Sequence, residues 1–147
     1  MRVLVLCLLL TVLASAQEPE LIPAPYLASQ YVALADAPSS IIVAGKDEPG
    51  ERLIVTGQAL DGTPLVAGVS VYVFHTDADG FYARGMKNFE GELNPRLHGA
   101  MRTDTNGRYQ YQTILPGRYG TNGALHVHYV VTAPGYKALW GAEIPTA

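Results

Sequence analysis

The chain has 147 residues, of which 48% are hydrophobic and 16% are charged. This composition excludes an intrinsically disordered protein and fits a single packed domain. The formal net charge is −3, without a basic run, so no nucleic-acid partner is expected. The single Cys excludes an intrachain disulfide framework and a four-cysteine zinc site. Nine tyrosines stand beside three phenylalanines and one tryptophan, an excess of phenol side chains that any functional interpretation has to consider.

Residues 1–16 have the three parts of a secretory signal peptide. Met1-Arg2 gives a positive start, Val3–Leu13 is an unbroken apolar run, and Ala14–Ala16 is an A-x-A cleavage pattern. The run is too short for a transmembrane helix, which needs about 20 apolar residues. We therefore expect a secreted or periplasmic protein with no membrane partner after cleavage. The mature chain would then contain no cysteine, because Cys7 is removed.

Residues 17–40 are predicted to form an extended arm or linker. The stretch Gln17–Pro38 contains four prolines and has no clear hydrophobic period. The globular domain is therefore expected over residues 41–147.

From Ile41 onward the apolar pattern has a period of two. Six segments are rich in Val, Ile, Tyr and Thr, and each is bounded by turn-forming residues, as in short β-strands. They are Ile41–Val43, Leu53–Ala59, Val69–His75, Ala100–Thr103, Arg108–Ile114 and Leu125–Thr132. The pattern predicts an all-β fold, an antiparallel β-sandwich.

Three dipeptides predict tight turns between these strands: Asp61-Gly62, Asp79-Gly80 and Asn106-Gly107. Both central residues of such hairpin turns are expected to have positive φ. The last two dipeptides belong to a repeated D-x-[DN]-G-x-Y pattern, which we interpret as two similar turns, each leading into a strand. The segment Phe81–Leu97 is predicted to be a long surface loop.

The pair His126 and His128 is the sharpest chemical feature. On a β-strand, residues i and i+2 point to the same face, so the two imidazoles are predicted to lie side by side. The opposite face is apolar and is expected to pack on the core through Leu125, Val127, Tyr129 and Val131. By itself such a pair indicates either a metal site or two surface histidines, and both interpretations stay open at this point.

Tyrosines are the oxygen donors that stand near this pair. Tyr119 lies in the turn Pro116–Gly120, with six residues between it and His126, and Tyr82 follows the Asp79-Gly80 turn. A phenol has a pKa near 10, but it loses its proton when it binds a highly charged cation. Phenolates together with neutral imidazoles form a mixed oxygen and nitrogen shell that suits ferric iron.

In its order of motifs the sequence resembles the intradiol ring-cleaving dioxygenases of the catechol and protocatechuate type. The resemblance runs from about Leu53 to Tyr136. Its motifs are Thr56–Ala59, Asp61–Leu65, Val71–Tyr82, Arg102–Ile114, Pro116–Tyr119 and His126–His128. It implies the β-sandwich core of that family, similar to transthyretin and immunoglobulin domains.

The resemblance also implies a site and a reaction. The ligands of ferric iron would be Tyr82, Tyr119, His126 and His128. A catechol-type diol would chelate the iron in place of the Tyr119 phenolate, which takes up a proton, and dioxygen would open the ring between the two hydroxyls. Tyr119 would thus be the catalytic residue, whereas Tyr109 matches a structural strand position.

One departure from the family pattern keeps other functions open. Family members usually carry an arginine shortly before the H-x-H pair, whereas Gly120–Leu125 contains none. Arg118 or Arg84 would have to supply that charge. The alternatives are therefore a non-catalytic, transthyretin-like binding or accessory module, and an iron-binding family member without turnover. No oligomeric state is predicted.

Overall fold

In a computed structural model the described residues are 6–11, 31–62, 66–83, 95–118, 123 and 125–143. The regular elements within them are eight β-strands: β1 (Leu6–Thr11), β2 (Ser40–Ile42), β3 (Arg52–Leu60), β4 (Ser70–His75), β5 (Leu97–Arg102), β6 (Arg108–Ile114), β7 (Val127–Thr132) and β8 (Leu139–Glu143). Within these ranges no helix has the length and apolar character needed to cross a membrane.

The strands form two four-stranded sheets. Sheet 1 has the order β1-β3-β6-β2, and sheet 2 has the order β5-β4-β7-β8. Sheet 2 is antiparallel throughout, whereas in sheet 1 the outer strands β1 and β2 pair in parallel with β3 and β6. The predicted all-β sandwich is therefore confirmed, with two parallel pairings that the sequence pattern did not indicate.

All six predicted segments contain strands, and two further strands were not predicted. β8 was missed because it has only five residues and includes a glycine, which strand propensity disfavours. β1 lies inside the predicted signal peptide of residues 1–16 and pairs with β3 along six residues. Cleavage of that peptide stays a prediction.

The principal core lies between the sheets, where alternate residues of each strand point inward. It contains Leu53, Val55, Ala59, Val69, Val71, Val73, Met101, Tyr109, Tyr111, Val127, Tyr129 and Val131. A hydrogen bond of 2.5 Å joins the hydroxyl groups of Tyr111 in sheet 1 and Tyr129 in sheet 2 inside it, so these phenols are paired although they are buried.

A second buried cluster, here called the outer cluster, covers the opposite face of sheet 2. It contains Tyr31, Tyr72, Phe74, Tyr82 and Val130. Tyr31 belongs to the predicted arm of residues 17–40, and its ring meets that of Tyr72 edge-on at 5.1 Å. The arm thus contributes, through its described residues, to the packing of sheet 2.

Side-chain hydrogen bonds also hold this part of the arm. The amide of Ala33 donates to the Ser70 hydroxyl at 2.8 Å. The Arg102 guanidinium donates to the carbonyl oxygens of Leu34 and Ala33, each at 2.8 Å. Ala33 is consequently buried, while Leu34 points to solvent with 76% of its surface exposed.

The two D-x-[DN]-G-x-Y segments form the same turn, as predicted, but only the second leads directly into a strand, β6. In each, the first Asp accepts hydrogen bonds at its Oδ1 atom from the backbone amides two and four residues further on. The distances are 3.1 and 2.9 Å for Asp77 and 2.8 and 2.9 Å for Asp104. The repeat is therefore a local hydrogen-bonding pattern that reverses the chain.

The expected backbone angles of these turns were wrong in one respect. Only the glycines have positive φ, namely Gly62 at 63°, Gly80 at 83° and Gly107 at 69°, and no other type of residue has it in the described chain. The residues before Gly80 and Gly107 keep a negative φ because, in these two turns, the Asp77 and Asp104 side chains rather than a two-residue mirror-image turn supply the reversal.

We expect a Gly57→Ala variant to lose about 2 kcal/mol of unfolding free energy, which is typical of overpacking in a dense core. Gly57 pairs with Tyr109 across β3 and β6, and a Cβ atom on Gly57 would overlap the Tyr109 ring. Gly141→Ala is the matched control, because nothing lies within 4 Å of its Cβ position in β8. Urea unfolding of both variants measures the difference, and equal stabilities would contradict this interpretation.

Candidate metal centre

Strand β7 presents His128 on the outer face of sheet 2, and His126 directly precedes the strand. Val127 and Tyr129 point the other way, into the core between the sheets, as predicted. The two imidazole rings lie 4.5 Å apart, centre to centre, and are nearly perpendicular. The alternation along β7 is thus what brings both histidines to one face.

Tyr82 completes a triangle of three donor atoms with these histidines. Its hydroxyl oxygen lies 2.8 Å from Nε2 of His128 and 3.4 Å from Nε2 of His126. The two Nε2 atoms are 2.9 Å apart. Atoms that share one first-row metal ion at bond lengths of about 2.0–2.2 Å have similar separations. The triangle therefore has the dimensions of one side of a metal coordination shell.

Phe74 holds the imidazole of His128 in this orientation. It is the cross-strand partner of His128, and the two rings stack at 4.5 Å with an interplanar angle of 8°. Sequence analysis did not identify Phe74 as part of the site. The sequence indicates only that Phe74 points to the outward face of β4. The strand register that places it beside His128 cannot be derived from the sequence of either strand alone.

The site keeps His128 uncharged at neutral pH. Burial, together with the neighbouring imidazoles of His126 and His75, lowers the pKa of His128 to about 4. A neutral imidazole has a free nitrogen lone pair, which is the form that binds metal ions. Tyr82 is only 1% exposed, so its phenol meets the histidines away from bulk water.

The other sequence-predicted ligand, Tyr119, lies outside the described residues, as does Arg84. The described chain stops just before it, at Arg118, whose Nη1 atom is 3.5 Å from the carbonyl oxygen of Gly123. Arg118 and Gly123, which stand before and after the undescribed residues 119–122, both lie close to His126 in sequence.

Tyr109 does not join the site. Its side chain is buried in the core between the sheets, whereas Tyr82 belongs to the outer cluster on the other face of sheet 2. This position agrees with the structural role expected for Tyr109. Two residues that occupy equivalent places in the repeated turn pattern thus have different surroundings.

The remaining two histidines also lie outside the triangle. His98 is exposed, stacks on the ring of Tyr72 at 5.9 Å and hydrogen-bonds to the carbonyl oxygen of Pro95 through Nδ1. His75 is fully buried, and both of its ring nitrogens are hydrogen-bonded, to Thr76 and Thr113. His75 is thus a buried histidine whose ring nitrogens both have hydrogen-bond partners.

Comparison with known proteins assigns the family. A family model described as "Dioxygenase" matches residues 22–142. A hydroxyquinol 1,2-dioxygenase from Rhizobium sp. is 33% identical over 127 residues, which cover 72% of this chain and 42% of that protein. A catechol 1,2-dioxygenase from Acinetobacter baylyi is 31% identical over 129 residues, with 72% and 41% covered.

The chain belongs to the intradiol ring-cleavage dioxygenase family. Solved structures agree on the fold. The dioxygenase domain of a carbohydrate-binding fusion protein from Streptomyces sp. has a TM-score of 0.60 at 24% identity, with 77% of this chain and 68% of that chain covered. The intradiol ring-cleavage dioxygenase of Tetranychus urticae gives 0.60 at 23%, with 78% and 60% covered. This family member spans less than half the length of the curated relatives named above.

The residues of this intradiol family member fit the iron that the family implies. One phenol oxygen and two imidazole nitrogens converge within 3.4 Å, and such hard and borderline donors suit ferric iron. Within the described residues no group of three or more His, Cys, Asp or Glu side chains forms an alternative metal site. The phenol of Tyr82 is the oxygen donor of this candidate set.

The buried His75 gives the iron-free chain a pH-dependent stability. Burial lowers the pKa of His75 to about 4, below the value near 6.5 expected for the unfolded chain. The unfolded state therefore takes up the proton first as the pH falls, and stability is lost between about pH 6.5 and pH 4. We expect His75 to account for a loss of about 2 kcal/mol between pH 7 and pH 4.5.

Urea unfolding at pH 7 and at pH 4.5 checks this expectation. A His75→Gln variant has no titrating group at this position, so its stability should fall by that much less over the same interval. An identical pH dependence in both proteins would contradict the assignment to His75.

Proposed function

We propose that this protein is a non-haem ferric dioxygenase that cleaves a catechol-type aromatic ring between its two hydroxyl groups. The observation that carries the proposal is the triangle of Tyr82, His126 and His128, whose donor atoms lie 2.8–3.4 Å apart. Membership of the intradiol family supports the same chemistry.

In this proposal Tyr82, His126 and His128 hold the iron together with Tyr119. Ferric iron, when bound, supplies a Lewis acid that binds both oxygens of the diol. The chain contributes the neutral imidazole of His128, because the pKa of this residue is lowered to about 4 by its surroundings. Tyr82 gives up its phenol proton when it becomes a ligand. Tyr119 is the catalytic residue, and its phenolate takes up a proton from the diol.

The substrate class follows from the same chemistry. A ligand that replaces one phenolate and chelates through two oxygens is a vicinal aromatic diol, and the relatives are named for hydroxyquinol, catechol and protocatechuate. Dioxygen is the second substrate. We further propose that the protein acts in the periplasm or outside the cell, because residues 1–16 have the pattern of a secretory signal peptide.

Metal analysis with a visible spectrum tests the proposal directly. Purified protein reconstituted with ferric iron should contain one iron per chain and should be red to purple, because tyrosinate-to-ferric charge transfer absorbs visible light. Oxygen uptake with a panel of catechols then tests turnover. A colourless protein that takes up no iron would overturn the proposal.

One observation favours a second function, iron binding without ring cleavage. The segment Gly120–Leu125 lacks the arginine that family members usually carry before the H-x-H pair. Of the two arginines that could supply this charge, Arg118 has its Nη1 atom 3.5 Å from the carbonyl oxygen of Gly123, and Arg84 lies outside the described residues. A coloured protein that consumes no oxygen with any catechol would support this second function over the first.

A further inference from the structure

The chain segment that leads to Tyr119 packs directly on the turn that leads to Tyr82. The amide of Gly117 donates a hydrogen bond of 2.7 Å to the carbonyl oxygen of Asp77. A Cβ atom on Gly117 would overlap the backbone of Ala78 and Gly80. The two backbones are therefore in contact with no side chain between them.

His75 joins the strands from which these two segments emerge. Its Nδ1 atom lies 2.6 Å from the carbonyl oxygen of Thr76, at the end of β4. A carbonyl oxygen only accepts hydrogen bonds, so Nδ1 carries the proton and Nε2 is an acceptor. The hydroxyl of Thr113, near the end of β6, lies 2.6 Å from Nε2 and is the donor. The ring therefore bridges β4 and β6 with a defined tautomer.

The neighbouring Thr76 makes a second connection to the segment that leads to Tyr119. Its hydroxyl donates a hydrogen bond of 2.8 Å to the carbonyl oxygen of Gly117. Both His75 and Thr76 are buried, with 0% and 2% of their surfaces exposed. Because these bonds lie in the interior, water does not compete for them.

We propose that His75 and Thr76 form a clamp that positions the two tyrosine-bearing segments of the site relative to each other. His75 binds Thr113 at the start of the segment that leads to Tyr119, and Thr76 binds Gly117 further along it. Both ring nitrogens of His75 are bound to threonines, Thr76 and Thr113, so it acts through these segments as a positioning residue. The purpose given to the clamp rests on the proposed function, whereas its effect on the backbone does not.

The chemistry of the clamp requires one donor and one acceptor at position 75. Glutamine has both, at a reach similar to that of histidine, whereas leucine has a similar bulk and neither. His75→Gln should therefore preserve the clamp and His75→Leu should release it. Thr113→Val removes only the hydroxyl that donates to His75, with almost no change in side-chain shape.

Amide hydrogen exchange, measured by NMR on the full iron-free chain, tests the clamp. The reporter is the Gly117 amide, and the control is the Ala59 amide, which donates to the carbonyl oxygen of Gly107 at the other end of the sandwich. In His75→Leu we expect exchange at Gly117 to accelerate at least about tenfold more than exchange at Ala59, as the loss of a buried hydrogen bond implies. His75→Gln should restore the slow exchange.

Equal acceleration at both amides would show that His75 only contributes to global stability. No acceleration would show that the hydrogen bonds of His75 do not restrain the segment that contains Gly117. Either result overturns the clamp. If His75→Leu fails to fold, Thr113→Val carries the same expectation for Gly117 and the same two ways to fail.

A second measurement separates this proposal from the proposed function. Wild-type protein that takes up no ferric iron refutes the function, while the exchange result still decides the clamp. With iron bound, His75→Leu should shift the visible charge-transfer band and His75→Gln should return it to the wild-type position. An unchanged band in His75→Leu would overturn the positioning role.

Discussion

A His128→Ala variant is expected to lose ferric iron and the visible colour of the reconstituted protein. The change removes the Nε2 atom that lies 2.8 Å from the Tyr82 hydroxyl and 2.9 Å from Nε2 of His126. It also removes the ring that stacks on Phe74. Changes to residues that merely support metal ligands lower affinity by about 10- to 100-fold, so loss of a ligand itself should reduce it by at least about 100-fold. Iron titration followed by visible absorption measures this.

Two tyrosine variants provide the matched comparison. Tyr82→Phe removes the phenol oxygen of the triangle and should abolish or shift the band. Tyr109→Phe removes a phenol from the core between the sheets and should leave the band unchanged. A folded but colourless Tyr109→Phe protein, or a Tyr82→Phe protein with the wild-type spectrum, would show that the wrong tyrosine has been assigned to the metal.

Gly80→Ala should be the most damaging single-methyl change to the scaffold of the site. Gly80 has a φ of 83°, which costs about 1–2 kcal/mol for a residue with a Cβ atom. The added Cβ atom would also overlap the carbonyl oxygen of Arg118, a backbone atom that cannot rotate away. With the usual cost of overpacking, the expected loss of unfolding free energy is about 4 kcal/mol, measured by urea unfolding with circular dichroism.

Gly135 offers a control with the same backbone angle and different surroundings. Its φ is also 83°, and nothing lies within 4 Å of its Cβ position. Gly135→Ala should therefore lose only the conformational part, about 1–2 kcal/mol. Equal losses of unfolding free energy in the two variants would mean that the overlap with Arg118 does not destabilise the Gly80→Ala variant. The iron affinity of Gly80→Ala should fall as well, because Tyr82 follows this turn by two residues.

Much of the fold could be predicted because the relevant information is local. Side-chain alternation identified six segments that contain strands, and glycine-containing turns separated them. The two parallel pairings and β8 were missed for the opposite reason. The residues of Leu139–Glu143 become a strand by pairing with β7, and a five-residue segment that contains a glycine has little strand propensity of its own.

The residues of the candidate site also differ in whether local sequence was enough to predict them. The shared face of His126 and His128 follows from the period of a strand and was predictable from three residues. The approach of Tyr82 was not, because Tyr82 and Tyr109 follow the same turn and yet one meets His128 while the other enters the core. Motif order within a family distinguished them. Phe74 was missed because its contact with His128 depends on strand register.

The only tryptophan of the chain, Trp140, stands beside the outer cluster. Its ring lies 6.1 Å from that of Phe74, which stacks on His128, and 5.9 Å from that of Tyr31. A coloured metal centre at Tyr82 and the histidines would accept excitation energy from an indole so close by. Iron loading should therefore quench the intrinsic fluorescence of the protein in proportion to occupancy. The fluorescence of Trp140 would therefore report the metal content of the protein, without a contribution from any other tryptophan.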